Sequence, residues 1–159
     1  MDFLDSISVA NWFIDTAKTK GQRITAMKLQ KLVYFAHGWY LALYDKPLVN
    51  ERVEAWRWGP VFRDIYDAAK KYGSEPIDSH IESLFGGDCP IQQGDERIPF
   101  LVRIWETYGN YSASQLSRMT HEVGGPWDTT WSKDPGRRSM DIDDDTIKDF
   151  YKRKIPTSN

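Results

Sequence analysis

The sequence is poor in residues that crosslink a protein or anchor it in a membrane. Among its 159 residues, Cys89 is the only cysteine, which excludes an internal disulfide. The most apolar stretch, residues 32–44, contains His37 and is shorter than the roughly 18 residues that a membrane span needs. No basic segment followed by an apolar segment opens the chain. We therefore expect a cytoplasmic protein that does not enter a membrane.

The sequence also lacks the common motifs of enzymes and nucleotide-binding proteins. It contains neither G-x-G-x-x-G nor G-x-x-x-x-G-K-[ST], the loops that hold phosphate groups. Its three histidines and Cys89 do not recur at the spacing of three or four residues that is typical of zinc ligands. His121-Glu122 matches half of a metalloprotease motif, but Gly125 occupies the place of the second histidine. We predict no cofactor, no bound metal and no enzymatic activity.

The composition is that of a folded domain with a surplus of aromatic residues. Hydrophobic residues make up 40% of the chain and aromatic residues 14%, with seven tryptophans. The net charge of −2 gives no overall basic surface, so nucleic acid is not the expected partner. Because tryptophan and tyrosine are enriched at the centres of protein interfaces, the surplus favours a protein partner.

Apolar spacing and helix-end signals predict a mainly α-helical fold. A first helix begins at Ser6 or Ser8, and Thr25 caps a second, longer helix. The second helix is apolar on nearly all sides over residues 29–43, so we expect it to be buried at the centre of the domain. Gly38, in its middle, indicates the close approach of another backbone.

A small β element and further helices follow the central helix. Residues 53–58 alternate in polarity as a strand does, and Pro60 is predicted to begin a third helix that ends at Gly73. Later helices are predicted over residues 99–109, from Ser112, over residues 126–131 and from Asp143, and residues 74–97 are predicted to be mainly loop. The expected fold class is mainly α, or α+β, with one domain over residues 1–155 and a frayed tail over residues 156–159.

One acidic residue of the predicted strand needs an explanation. Glu54 shares a strand face with Trp56 and Trp58, and a buried carboxylate on an aromatic face must be paired or hydrogen bonded. The candidate donors are His37, Lys31 and Arg63. We predict that a donor from the second helix pairs with Glu54 and that the pair serves the fold. The alternative is a hydrolase site formed by His37, Glu54 and His121.

Several strings of the sequence occur in an order that is typical of a known family. Residues 28–42 read KLQKLVYFAHGWYLA, followed by EAW at 54–56 and GPV at 59–61. Later strings include Thr120-His121 and Pro126-Trp127. Together they closely resemble the Panacea domain, the SocA-like antitoxin family of bacteria and phages, over roughly residues 7–151. Gly124-Gly125 before Pro126 departs from the family pattern.

The resemblance implies that the shared strings build the scaffold. The scaffold residues are Lys31, His37, Trp39, Glu54, Trp56, Gly59, Pro60, Tyr66, His121 and Trp127. Specificity for a partner is then expected in the loop-rich segments outside these strings, residues 74–97 and 132–140, because loops vary without damaging a core. The candidate partner-binding residues in or beside these segments are Phe85, Trp131, Arg137 and Arg138.

The resemblance also implies a function. Members are non-enzymatic antitoxins, encoded beside a toxin, that neutralise the cognate protein toxin by direct contact. In the SocA-like case the implied alternative is an adaptor that delivers the toxin to a AAA+ protease. A nucleic-acid-binding transcriptional regulator is a further alternative, because antitoxins often repress their own operons and a small β element beside helices resembles a winged helix.

Overall fold

The computed structural model of the chain describes residues 3–86, 89–134, 137 and 140–157. These residues form seven α-helices and three short β-strands. The helices are α1 (Ser6–Thr19), α2 (Ala26–Tyr44), α3 (Arg63–Ala69), α4 (Ile98–Tyr108), α5 (Ala113–Thr120), α6 (Pro126–Trp131) and α7 (Asp144–Arg153). The strands are β1 (Val53–Trp56), β2 (Gly59–Val61) and β3 (Met140–Ile142). The predicted fold class, mainly helical with a small β element, is confirmed.

The helix α2 occupies the centre of the fold, as the sequence predicts. The helices α1, α3, α4, α5 and α7 and the strand β2 pack around it, and 14 of its 19 residues are buried. The Thr25 side chain accepts a hydrogen bond from the backbone N–H of Lys28, which begins the helix. Asp45, in the left-handed conformation with φ 56°, ends it. A helix that is apolar on nearly every side avoids water only when other elements cover it.

Gly38 sets how closely α7 approaches α2. A Cβ at this position would lie 2.6 Å from Cε2 of Tyr151 and 3.2 Å from Cγ2 of Ile147. The group that needs the space is therefore an aromatic side chain of α7, whereas the sequence predicted another backbone. The Tyr151 ring also meets Phe35 edge-on, with ring centroids 6.4 Å apart.

The β element is a three-stranded antiparallel sheet in the order β2-β1-β3. In the hairpin of β1 and β2, Trp56 lies opposite Gly59, so the strand predicted over residues 53–58 ends at Trp56 and turns at residues 57–58. The strand β3 pairs with the other edge of β1. It was not predicted, because three residues are too few to show alternation.

Pro60 does not begin a helix, as the sequence predicted, but lies in β2. Proline is tolerated there because β2 is an edge strand and no neighbour needs its missing N–H. The helix α3 starts three residues later at Arg63, after Phe62 in an extended conformation. The predicted end at Gly73 is confirmed: a short 3₁₀ segment over Lys70–Tyr72 leads to Gly73 with φ 56°.

The later helices follow their predicted signals. Ser112 and Gln115 form a reciprocal capping box at the start of α5, and α7 follows Asp143. The described residues between 74 and 97 contain no helix or strand. They pack against α1 through Asn11, whose side chain exchanges two hydrogen bonds of 2.9 and 3.0 Å with the backbone of Ile81.

We predict that Gly38→Ala lowers the free energy of unfolding by about 1 to 3 kcal/mol, because the added methyl group collides with the Tyr151 ring and overpacks the core. Urea unfolding followed by fluorescence measures this. Gly94→Ala is the matched control, since a Cβ at Gly94 meets nothing within 4 Å. Equal stability of the two variants would contradict the packing role of Gly38.

Candidate functional site

The buried helix α2 carries four polar side chains, and each one binds a different neighbour. Lys28 donates from Nζ to the carbonyl of Gly109, at 2.5 Å, just after α4. Gln30 makes two bonds to the backbone of one residue: its Oε1 accepts from the N–H of Phe62 at 2.9 Å, and its Nε2 donates to the Phe62 carbonyl at 3.0 Å. This pair fixes the junction between β2 and α3.

Lys31 is a buried cation beneath the hairpin. Its side chain is 2% exposed, and its Nζ donates to the carbonyl of Pro60 at 3.2 Å. Burial lowers the pKa of this lysine to about 8, because removal from water disfavours the charged form. In the part of the chain that the structure describes, no carboxylate forms an ion pair with it. Gly59 lies beside the same Nζ, and its φ of 120° is a backbone conformation that residues with a Cβ rarely adopt, which favours glycine at this position.

His37 links α2 to the start of α7. Its ring is fully buried and its Nε2 lies 2.9 Å from Oδ1 of Asp144. No hydrogen-bond partner for its Nδ1 is found among the described residues. His37 was one of the three candidate donors to Glu54, and that assignment is wrong, because its ring bonds to Asp144 at the start of α7.

Glu54 is paired, as predicted, and its partner Arg63 is one of the three candidate donors, but the predicted donor from α2 is wrong. Arg63 donates to it from Nε at 3.1 Å and from Nη2 at 3.0 Å, and the indole N–H of Trp56 donates at 3.1 Å. The hairpin folds back and places the first turn of α3 beside β1, which brings Arg63 to Glu54. The donors on α2 point instead to Pro60 and Asp144.

A connected group of aromatic residues joins β1 to α6. The indole N–H of Trp127 donates to the carbonyl of Trp56 at 2.7 Å, and Trp131 stacks on Trp127 with ring centroids 5.6 Å apart. The His121 ring lies 4.1 Å from Trp127, and its Nδ1 lies 2.6 Å from the carbonyl of Ser117. These contacts account for His121 and Trp127 as packing residues.

Trp39, another predicted scaffold residue, lies on the other side of α2. Its indole N–H donates to the hydroxyl of Tyr108 at 2.7 Å, and its ring packs against Tyr151 with centroids 5.1 Å apart. It therefore joins α2 to both α4 and α7.

The predicted partner-binding residues lie on different parts of the fold. Phe85 is 87% exposed, on the segment that packs against α1. Trp131 is half-buried on Trp127, Arg137 is exposed, and Arg138 lies outside the described residues. Their role in partner binding stays a prediction.

An apolar groove lies between the hairpin, α2 and α3, and its exposed residues were missed by the sequence analysis. We call it the hairpin groove; its volume is about 310 Å³ and its lining includes Met27, Lys31, Trp56, Trp58, Val61 and Tyr66. Strand alternation predicted Trp58 on one face with Trp56, but Trp58 lies in the turn and is 63% exposed. The available signal in the sequence was the position of Trp58 directly before Gly59-Pro60, a pair of residues that favours a turn.

The described residues show neither a metal cluster nor a membrane helix. No group of three or more His, Cys, Asp or Glu residues among them is placed to hold a metal ion. None of the described helices combines the length and the apolar character that a membrane crossing requires.

We predict that the charge of Lys31 makes the free energy of unfolding rise between pH 8 and 10.5. In this range the unfolded chain still binds the proton that the folded chain has released, so the folded state is favoured as pH increases. Between pH 7.5 and 9.5, the free energy of unfolding of the wild type should rise by about 1 to 2 kcal/mol more than that of Lys31→Met. Urea unfolding at both pH values tests this, with the exposed Lys70→Met as control. Parallel behaviour of the wild type and Lys31→Met would contradict it.

We also predict that Glu54→Ala lowers the free energy of unfolding by about 1 to 3 kcal/mol, because the indole N–H of Trp56 loses its acceptor. Asp141→Ala is the matched control: Asp141 lies directly opposite Glu54 in the sheet, and its pair with Arg52 is largely exposed. Thermal unfolding should separate the two variants. A Glu54→Ala protein as stable as Asp141→Ala would argue against a structural role.

Comparison with known proteins agrees with the sequence resemblance. The family described as Antitoxin SocA-like, Panacea domain, matches residues 29–128, a range that contains every predicted scaffold residue. The chain is 34% identical to Antitoxin SocA of Caulobacter vibrioides (strain NA1000 / CB15N) over 170 aligned positions, which cover 98% of this chain and 87% of that protein. No solved structure matches the chain. Since the family match spans more than half of the chain and the relative nearly all of it, the chain belongs to the SocA-like antitoxin family with a Panacea domain.

Proposed function

We propose that this protein is an antitoxin that neutralises a cognate protein toxin by binding it directly, in the cytoplasm and without enzymatic activity. The observation that carries the proposal is the relationship to Antitoxin SocA, which extends over 98% of this chain at 34% identity. A relationship of this extent concerns the whole fold and is not limited to one shared motif.

The contacts of the candidate catalytic residues support a non-enzymatic role. His37 is fully buried against Asp144, Glu54 is held by Arg63 and Trp56, and His121 lies against Trp127. General acid-base catalysis needs a group that can reach a proton of the substrate. A histidine with no exposed surface and a carboxylate held by a guanidinium do not meet that requirement.

The exposed apolar residues support direct binding to a protein. Trp58, Tyr66, Leu84 and Phe85 are among the large hydrophobic side chains that remain exposed. Large apolar patches on a protein surface occur mainly where a partner covers them. Aromatic residues among them contribute much of the binding energy at such interfaces.

We predict that the protein encoded by the gene beside this one forms a stoichiometric complex with the chain that persists in EDTA and without nucleotide. Co-expression followed by size-exclusion chromatography in EDTA measures this. Growth arrest by the neighbouring protein, relieved by the chain, is the accompanying readout in cells. Dissociation of the complex in EDTA would contradict direct, metal-independent binding.

The same system separates the alternatives. An adaptor needs its protease, so the chain should then relieve growth arrest in the parent host, where toxin levels fall, and fail to relieve it in a host that lacks one AAA+ protease. This result would support adaptor function and contradict direct neutralisation. Binding of the chain to operator DNA that weakens steeply with salt would support the regulatory alternative. A complex that forms equally well in the presence of competitor DNA favours the toxin as partner.

A further inference from the structure

The hairpin groove gathers exposed apolar side chains from three elements. Met27 of α2 is 40% exposed, Trp58 of the hairpin turn 63% and Tyr66 of α3 43%, and all three line the groove. Exposed apolar side chains that converge on one concavity indicate a surface that is covered in a complex.

The groove is also held in place before any partner arrives. Trp56 is fixed by its indole N–H on Glu54 and by its carbonyl, which accepts from Trp127. Tyr66 packs against the Trp56 ring with centroids 4.7 Å apart. Side chains fixed in this way lose little conformational freedom on binding, which favours affinity.

The charge of the groove is positive, although the chain has a net charge of −2. Its lining contains Lys31 and Lys70 and no acidic residue. Lys70 lies 3.5 Å from Asp67 on its own helix, whereas Lys31 has no ion pair with a described carboxylate and lies buried at the groove. An uncompensated charge next to apolar walls produces a strong local potential that attracts an anionic partner group.

We propose that the hairpin groove binds a segment of the protein partner in which a bulky apolar side chain stands beside an aspartate or glutamate. The apolar side chain lies against Trp58, Tyr66 and Met27, and the carboxylate lies toward Lys31. This inference rests on the proposed function and deepens it by naming the surface and the chemistry of the segment that it recognises. A buried lysine that destabilises the free protein then serves the complex.

The first experiment does not depend on knowing the toxin. Random dodecapeptides displayed on phage are selected on the wild-type chain, and the selected peptides are measured by fluorescence anisotropy. We expect a consensus of an aromatic or large aliphatic residue adjacent to Asp or Glu. The dissociation constant of a consensus peptide should rise at least 30-fold for Trp58→Ala and about 5-fold for Lys31→Met. It should stay within twofold for Tyr111→Ala, the control at an exposed aromatic residue outside the groove.

The variants are chosen to separate binding from folding. The Trp58 side chain is mostly exposed, its ring lies beside Arg57 of the same turn, and the bond from Ser117 goes to its backbone carbonyl, so we expect Trp58→Ala to leave the hairpin intact. Lys31→Met removes the buried charge and keeps the length of the side chain, but it also removes the bond to the Pro60 carbonyl, so its free energy of unfolding is measured beside its affinity and only a loss of binding at unchanged stability counts as loss of the charge. Circular dichroism of each variant verifies the fold.

The same variants are then tested against the protein encoded beside this gene. If that protein binds the wild type and Trp58→Ala or Lys31→Met weakens the complex by the factors given, the inference holds for the natural partner. If it binds and only Phe85, Trp131 or Arg137 substitutions weaken the complex, the groove is not the docking surface and the inference fails. If it does not bind the wild type at all, the proposed function fails and the peptide selection alone decides the role of the groove.

The remaining outcomes overturn the inference. A basic or charge-neutral consensus, or no peptide enriched above background, excludes the acidic-apolar segment. Displacement of the peptide by single-stranded DNA at physiological salt makes the groove a stacking surface for bases. A concentration-dependent dimer in sedimentation that Trp58→Ala abolishes makes the occupant a second copy of this chain.

Discussion

Four polar side chains lie on a buried helix, and the rest of the fold is arranged so that each of them has a hydrogen-bond partner. Unpaired polar groups in a core are expensive, so the positions of their partners are constrained. Lys28, Gln30, Lys31 and His37 each bond to a different part of the surrounding chain: the end of α4, the start of α3, the strand β2 and the start of α7. Apolar packing alone would allow these elements to slide along α2. The hydrogen bonds define one register for each of them.

This arrangement couples the core to the hairpin groove. Gln30 holds the backbone of Phe62 between β2 and α3, and Lys31 holds the carbonyl of Pro60. The two walls of the groove are therefore positioned by consecutive residues of the central helix. The aromatic residues that face solvent keep their geometry because the backbone that carries them is bonded to α2. A change at Gln30 is then transmitted to the surface through the position of α3, without any contact between Gln30 and a partner segment.

The sequence predicted the helices well where their signals are local. Thr25 and the Ser112–Gln115 capping box mark helix starts through bonds within one turn, and these predictions are confirmed. Pro60 was assigned to a helix because proline suits both a first helical position and an edge strand, and only the pairing with β1 distinguishes them. Arg63 was among the candidate donors to Glu54, but a donor from α2 was preferred, because sequence spacing does not show that the hairpin brings Arg63 beside the carboxylate. Trp58 is exposed because it lies in the turn, whereas the alternating polarity of residues 53–58 predicted a strand that continues through it.

The closure of α7 over α2 has a consequence for how the protein is made. His37 and Asp144 are separated by 107 residues, and Tyr151 fills the space beside Gly38. During synthesis, α2 therefore leaves the ribosome long before the helix that covers it. Contacts over such separations form slowly, because the intervening chain loses entropy first. A chain whose translation stops before α7 keeps an apolar helix open to chaperones and proteases. We therefore expect chains cut short before α7 to be degraded faster than chains that contain it.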